Sequence, residues 1–147
     1  MKSSTATKGR LFVDTWGWLV LADGRDPSHE TAVRTRREFT REGVVCTSDY
    51  VLDETFTLLF SRCPFPQAKE YSAGILEASK RGLLKIEWIT PERFQSAHRL
   101  RLRYHDKPQI SFTDLTSFVV MQELGIRNVL TADAHFIKVQ LGFRLVP

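Results

Sequence analysis

The fold is decided by the stretch Leu11-Phe12-Val13-Asp14-Thr15. A short run of apolar residues without polar alternation is typical of a strand that is buried on both faces. An acid ends this run, and residues 15–22 then predict a short helix. We therefore expect a central strand with a carboxylate at its carboxyl end.

The rest of the chain alternates between strand and helix patterns. Further strands are predicted over residues 44–47, 84–89, 128–131 and 143–146. Helices are predicted over residues 26–42, 48–61, 67–81, 90–104, 111–124 and 134–141, the first with Asp26 as N-cap and Pro27 at its first position. Such alternation is typical of an α/β fold with a mostly parallel sheet. We expect residues 1–10 to form a flexible leader and residues 11–147 to form one domain.

Composition narrows the class of protein. Cys46 and Cys63 form no Cys-x-x-Cys pair, so we expect free thiols in a reducing cytoplasm. No apolar run approaches the roughly 20 residues that span a bilayer, so we expect a soluble chain. The net charge of +4 is a weak signal by itself. If acids gather at one site, however, the remaining surface is more basic and suits a polyanion.

Two acids follow predicted strands directly. Asp14 ends the first strand, and Asp133 comes just after the strand over residues 128–131. Ligands of open parallel sheets bind outside the carboxyl ends of the strands, where these two side chains would meet. A simpler interpretation remains for each: Asp14 terminates a strand, and Asp133 caps the following helix.

Glu54 is predicted to be the third member of this group. On a helix it falls between Val51 and Leu58, on an apolar stripe that is a poor place for a solvated acid. Its neighbour Asp53 falls on a polar stripe that we expect to face water. The helical pattern therefore selects Glu54 and leaves Asp53 at the surface.

Asp114 is predicted to be the fourth member. Ser111 is expected to cap the helix that follows it, and Asp114 then heads an apolar stripe that continues through Phe118 and Met121. The alternative is a first-turn carboxylate that completes a capping box with Ser111. Acids that point at a core protonate unless a cation stabilises their charge. That cation is either a divalent ion such as Mg²⁺ or Mn²⁺, or a paired Arg or Lys.

With these residues in hand, the chain resembles PIN-domain ribonucleases, most closely the VapC-type toxins of prokaryotic toxin–antitoxin pairs. The matching stretches, in chain order, are Phe12-Val13-Asp14-Thr15, Thr47-Ser48-Asp49-Tyr50-Val51-Leu52-Asp53-Glu54, Ser111-Phe112-Thr113-Asp114-Leu115-Thr116-Ser117-Phe118, Leu130-Thr131-Ala132-Asp133-Ala134-His135-Phe136 and Gly142-Phe143. Each stretch is short, and their order and spacing carry the resemblance, which runs from about residue 11 to the C-terminus.

The resemblance implies an α/β/α sandwich with the acids clustered at one edge, and Mg²⁺- or Mn²⁺-dependent cleavage of RNA. Asp14, Glu54, Asp114 and Asp133 match the family's acidic positions one by one, and they would hold the metal and carry catalysis. Ser111 or Thr113 would correspond to a polar residue near the third acid. The family also implies a homodimer and a cognate antitoxin that inserts a segment into the acidic groove.

Other residues have weaker signals. Two helix faces carry arginines at helical spacing that could contact phosphates or an acidic partner, although a solvated face is the default interpretation: Arg34, Arg37, Arg41, Arg99 and Arg103. No His-x-x-x-His pair is present, so zinc is not expected. His135 follows Asp133 closely, and we expect it to have a supporting or surface role.

Two alternatives to a toxin remain open from the sequence. One is a PIN nuclease that processes RNA without an antitoxin. The other is a binding module that keeps the fold, uses its acids as helix caps and only binds RNA or protein.

Overall fold

The computed structural model of the chain describes residues 9–146, apart from the side chain of Glu42. Its centre is a five-stranded sheet in which every neighbouring pair is parallel. The strands are β1 (Arg10–Val13), β2 (Val44–Ser48), β3 (Lys85–Glu87), β4 (Asn128–Leu130) and β5 (Arg144–Val146), and they lie in the order β3-β2-β1-β4-β5. The predicted α/β class with a parallel sheet is confirmed.

Helices connect successive strands. They are α1 (Thr15–Ala22), α2 (His29–Glu42), α3 (Asp49–Arg62), α4 (Phe65–Lys80), α5 (Pro91–Arg103), α6 (Phe112–Leu124) and α7 (His135–Lys138). Contacts link α1, α2, α3 and α4 into one group and α5 to α6, and α3 also contacts α6. Connections between parallel strands are right-handed, so the helices lie on one face of the sheet where the chain moves from β1 towards β3, and on the other face where it returns to β4 and β5. The result is the predicted α/β/α sandwich.

The strand order creates a crevice beside β1. The chain leaves β1 in one direction to form β2 and β3, and then returns to form β4 on the other side of β1. Such a reversal is the point at which open α/β sheets bind their ligands. Leu11, Phe12 and Val13 are fully buried, as expected for the central strand.

Helix α1 lies very close to this crevice. A Cβ atom at Gly17 would lie 2.5 Å from the backbone oxygen of Leu130 and 3.0 Å from Val13 Cγ1. A glycine is therefore required here by the close approach of the helix to the end of β4. This packing holds the residues at the start of α1 beside those that follow β4.

The predicted start of α2 was wrong. The helix begins at His29, after Ser28, and not at Pro27. Asp26 Oδ1 accepts a hydrogen bond from the Ser28 backbone N–H at 2.8 Å instead of capping the helix. The Asp side chain commonly stabilises a turn by accepting a hydrogen bond from the backbone N–H two residues later. An Asp in the sequence therefore indicates either a helix cap or a turn.

The start of α4 was also mispredicted. The helix predicted over residues 67–81 begins at Phe65, with Pro66 in its first turn. The first turn tolerates proline, because an N–H there has no partner within the helix.

Several helix ends confirm their predicted signals. Ser48, Thr90 and Ser111 cap α3, α5 and α6 by accepting hydrogen bonds from the backbone N–H three residues later. Gly125 ends α6 in the left-handed conformation, with φ 68°. In contrast, the helix predicted over residues 134–141 is shorter and ends at Lys138.

Residues 1–8 of the predicted leader lie outside the described residues, whereas Arg10, which was also assigned to the leader, belongs to β1 and pairs with Val44. Among the helices of residues 9–146, none has the length and apolar character required to cross a membrane.

Candidate metal centre

The four acids approach the crevice from four different elements. Asp14 lies between β1 and α1, and its backbone N–H donates to Leu130 O at 3.3 Å. Asp133 follows β4, Asp114 lies in the first turn of α6, and Glu54 lies on α3. Burial is the largest cause that raises the pKa of Asp114 and of Asp14; in addition, the charge of each of the other three acids raises the pKa of Asp114, and the charges of Asp133 and Glu54 raise that of Asp14. The structure therefore brings the predicted quartet together.

The members of this quartet differ in burial. Asp14 is only 4% exposed and Asp114 only 8% exposed, and both lie at the floor of the crevice. Asp133 is partly buried. These three positions agree with the expectation that acids face the interior.

The prediction for Glu54 was wrong in one respect. Glu54 is exposed, as is Asp53, and the buried face of α3 consists of Val51, Leu52, Thr55 and Leu59. The buried face is rotated by about one residue from the predicted one. Spacings of three and four residues both occur on one face of a helix, so the sequence pattern alone is compatible with two adjacent faces. Glu54 nevertheless faces the site, since its Oε1 accepts a hydrogen bond of 2.7 Å from Thr15 Oγ1.

Asp53 is exposed as predicted. Asp49, at the start of the same helix, is not a surface acid: its Oδ1 accepts a hydrogen bond of 2.8 Å from the Ile89 backbone N–H. Asp49 therefore ties the start of α3 to the segment that follows β3.

Two threonines that sequence reasoning missed hold the acids in place. Thr131 Oγ1 donates to Asp14 Oδ2 at 2.9 Å and accepts from the Asp133 backbone N–H at 3.0 Å. Thr15 Oγ1 orients Glu54 by donating a hydrogen bond to its Oε1. Both threonines adjoin a strand end, next to or two residues from an acid, which is the signal that would have identified them.

The electrostatics of the site favour neutral acids unless a cation is present. Burial raises the pKa of Asp14 to about 6, and the hydrogen bond from Thr131 only partly opposes this rise. Burial, followed by the charges of Asp14 and Asp133, raises the pKa of Asp114 to about 8. Two carboxyl groups are thus held where full ionisation costs free energy.

His135 contacts two of the acids, which is compatible with the supporting role expected of it. Its Nδ1 atom is 3.2 Å from Asp133 Oδ1 and 3.6 Å from Asp114 Oδ2. One ligand atom from each of Asp114, Asp133 and His135 can be chosen so that all lie within 4.8 Å of one another. The sequence signal was its position two residues after an acid.

The two hydroxyl residues proposed as support have different positions. Ser111 Oγ is committed to the cap of α6, where it accepts from the Asp114 backbone N–H at 3.0 Å. It therefore positions Asp114 through the backbone. Thr113 contributes its backbone oxygen to a hydrogen bond from Thr116 Oγ1. Any part for Ser111 or Thr113 in catalysis stays a prediction.

The predicted arginine faces are exposed. All five side chains lie at the surface: Arg34, Arg37, Arg41, Arg99 and Arg103. Within residues 9–146, the hydrogen bonds and ion pairs of the four acids run to Thr15, Thr131, His135, backbone groups and, between Asp114 and Asp133, to one another, and to none of these arginines. Exposure is compatible both with phosphate contacts and with a solvated face.

The donor set suits a hard divalent cation. Carboxylate oxygens are the ligands that Mg²⁺ and Mn²⁺ prefer. Within the described part of the chain, no Lys or Arg forms an ion pair with Asp14 or Asp114, so the alternative of a paired basic side chain is not supported. The buried His135 Nδ1 has no hydrogen-bond partner among these residues, and its chemistry also fits metal ligation.

This constellation at the strand-order reversal has counterparts among known proteins. Residues 11–141 match the PIN domain. The chain belongs to the PIN-domain family. Among the relatives of this PIN domain is the 23S rRNA-specific endonuclease VapC20 of Mycobacterium tuberculosis, which is 36% identical over 126 residues, or 86% of this chain and 91% of that protein. The predicted membership among VapC-type PIN ribonucleases is confirmed.

Solved structures of PIN proteins agree with this assignment. The crystal structure of Mycobacterium tuberculosis VapC20, described as a sarcin–ricin loop cleaving toxin, matches with a TM-score of 0.77 and 35% identity, covering 93% of this chain and 99% of that one. VapBC2 from Rickettsia felis, bound to a promoter DNA fragment, matches with a TM-score of 0.72 but only 13% identity, over 92% and 96% of the two chains. The second likeness shows the fold alone.

Proposed function

We propose that this PIN domain is a divalent-metal-dependent endoribonuclease toxin that hydrolyses an RNA phosphodiester bond. The observation that carries the proposal is the meeting of four carboxylates at the carboxyl ends of β1 and β4, two of them almost fully buried. The endonuclease relative at 36% identity supports the same reaction class. We assign metal binding and catalysis to Asp14, Glu54, Asp114 and Asp133.

Different residues of the site bind the metal and orient its ligands. Asp14 and Asp114 present carboxylate oxygens from the floor of the crevice, and Asp133 and Glu54 present theirs from its more open side. Thr131 and Thr15 fix the orientation of Asp14 and Glu54, so that the oxygens need little reorganisation. A bound Mg²⁺ or Mn²⁺ supplies the activation of water and the neutralisation of charge at the phosphate. No histidine is then required as a general base.

We propose 23S rRNA as the substrate and its sarcin–ricin loop as the region that is cut. Support comes from the similarity to VapC20 of Mycobacterium tuberculosis, which is named for both features. The net charge of +4, with acids concentrated in the crevice, leaves a basic surface for the RNA backbone. Such a substrate implies action in the cytoplasm.

We further propose that a cognate antitoxin silences the enzyme and that the chain acts as a homodimer. Both proposals rest on membership among VapC-type toxins. An antitoxin segment with a basic group would be complementary in charge to the acidic crevice, because no Lys or Arg pairs with Asp14 or Asp114 within the described residues.

Purified protein incubated with 23S rRNA tests the reaction. We expect cleavage with Mg²⁺ or Mn²⁺, none with EDTA, and loss in Asp14→Asn and Asp114→Asn. Asp53→Asn is the matched control, because Asp53 is an exposed acid adjacent to Glu54. Cleavage by Asp14→Asn at the wild-type rate, or cleavage that persists in EDTA, would contradict the proposal. Primer extension locates the cut.

The two alternatives give different results. A binding module would retain RNA or protein without cutting it and would show little carboxylate-dependent Mn²⁺ affinity. A processing nuclease would cut RNA but would not arrest growth in a manner that a small protein encoded beside it relieves. Growth arrest with such relief supports the toxin.

A further inference from the structure

The ring of His135 faces two of the four acids. Its Nδ1 atom lies 3.2 Å from Asp133 Oδ1 and 3.6 Å from Asp114 Oδ2. The side chain as a whole is one quarter exposed, yet Nδ1 itself is buried. The ring nitrogen nearest to the two carboxylates, Nδ1, is therefore shielded from water.

A hydrogen bond does not explain this nitrogen. Nδ1 has no hydrogen-bond partner among the described residues, although two carboxylate oxygens lie nearby. The backbone N–H of His135 already donates to Asp133 Oδ1 at 2.9 Å. Buried polar atoms are nearly always satisfied, so an orphaned nitrogen beside two carboxylates requires a partner.

We propose that His135 Nδ1 is a direct ligand of the divalent ion, on the side of the site formed by Asp114 and Asp133. The proposal rests on the metal-dependent function proposed above and names a ligand beyond the four acids. One ligand atom from each of the three residues can lie within 4.8 Å of the others, which is compatible with a shared ion. The second ring nitrogen, Nε2, then carries the proton.

A nitrogen ligand has a consequence for the choice of metal. Mg²⁺ takes oxygen ligands almost exclusively, whereas imidazole suits transition-metal ions. His135 therefore shifts the site away from Mg²⁺ and toward Mn²⁺ or later transition metals, relative to a site of carboxylates alone. The expected loss of Mn²⁺ affinity in His135→Gln is tenfold or more, on the order of the change seen when a group supporting a metal site is removed.

Pulsed electron paramagnetic resonance of the Mn²⁺-loaded protein tests direct ligation. A coordinated imidazole nitrogen modulates the electron spin echo of Mn²⁺, and a histidine that only orients Asp133 does not. We expect ¹⁴N modulation in the wild type and its loss in His135→Gln. His105→Gln is the matched control, because His105 is exposed in the loop between α5 and α6. Labelling wild-type histidine with ¹⁵N provides a readout that does not depend on folding of a variant.

Three outcomes are distinguishable. A ¹⁴N signal that changes on ¹⁵N-histidine labelling and disappears in His135→Gln, but not in His105→Gln, supports the proposal. Bound Mn²⁺ without nitrogen modulation overturns the role of His135 and leaves the metal-dependent nuclease intact. Failure of the wild type to bind Mn²⁺ overturns both.

Discussion

Thr131 Oγ1 donates a hydrogen bond of 2.9 Å to Asp14 Oδ2, although the two residues are 117 positions apart. The same oxygen accepts from the Asp133 backbone N–H at 3.0 Å. One hydroxyl thus connects the acid after β1 with the acid after β4, at the reversal of strand order. The relative position of two proposed metal ligands depends on this residue.

Thr131→Val should impair the site more than the fold. Valine fills the same space but removes both hydrogen bonds, at a cost of about 1–3 kcal/mol of stability because the Asp133 N–H loses its partner. We expect Mn²⁺ affinity and RNA cleavage to fall by about 10–100-fold, as when groups that orient metal ligands are removed. Calorimetric titration and a cleavage assay measure the two effects. Thr131→Ser keeps the hydroxyl and should retain most activity; equal loss in both variants would assign the effect to packing.

The stability of the metal-free protein should fall as pH rises from about 4 to 8. The pKa of Asp14 rises from 3.8 to about 6 and that of Asp114 to about 8. In this range the folded state therefore holds protons that the unfolded state has released. The pKa shift of Asp14 alone lowers the free energy of unfolding by about 3 kcal/mol between a pH below 3.8 and a pH above 6. Denaturation in EDTA across this range measures the slope.

The control for the pH experiment is a pair of variants. Asp114→Asn should flatten the slope and raise the stability of the metal-free protein at pH 8, since one buried ionisable group is removed. Asp53→Asn should leave the slope unchanged, because Asp53 is exposed in the folded state. A wild-type protein whose stability in EDTA rises between pH 4 and 8 would contradict the expected protonation of the acids.

Gly17→Ala and Gly74→Ala should change stability in opposite directions. Both glycines lie in helices, where alanine is favoured by about 1 kcal/mol. At Gly17 the new Cβ would lie 2.5 Å from the Leu130 backbone oxygen, and such overpacking costs about 1–3 kcal/mol. At Gly74 nothing lies within 4 Å. Thermal denaturation should show a lower Tm for Gly17→Ala, with reduced cleavage, and a higher Tm for Gly74→Ala. A stabilised Gly17→Ala variant would contradict the close packing of α1.

Charge reversal of Arg34, Arg37 and Arg41 tests whether α2 follows the RNA backbone. Each lost phosphate contact reduces the slope of log affinity against log salt by about 0.7 for single-stranded RNA. If all three make contacts, the slope falls by about 2, and affinity at low salt decreases. Binding is measured in an Asp14→Asn background to prevent cleavage. Reversal of Arg99 and Arg103 tests α5 in the same way. An unchanged slope would identify that face as solvated.

Three of the four acids could be predicted because strand ends and helix caps have recognisable local sequence patterns. Asp14 and Asp133 each follow an apolar run, and parallel strands direct their carboxyl ends to one edge. Ser111 and Asp114 were recognised through helix-capping chemistry, which depends on residues three positions apart. These signals are local, or follow from the direction of the strands.

The sequence by itself determined the α/β class, the strand that occupies the centre and the four acids as a group. Only the tertiary structure decided that Glu54 is exposed, that Thr131 links Asp14 to Asp133, and that the ring of His135 lies between Asp114 and Asp133. The physical reason is that local patterns specify the period and the ends of an element. The rotation of a helix about its axis, and the contacts between side chains of distant elements, are fixed by packing across the sheet.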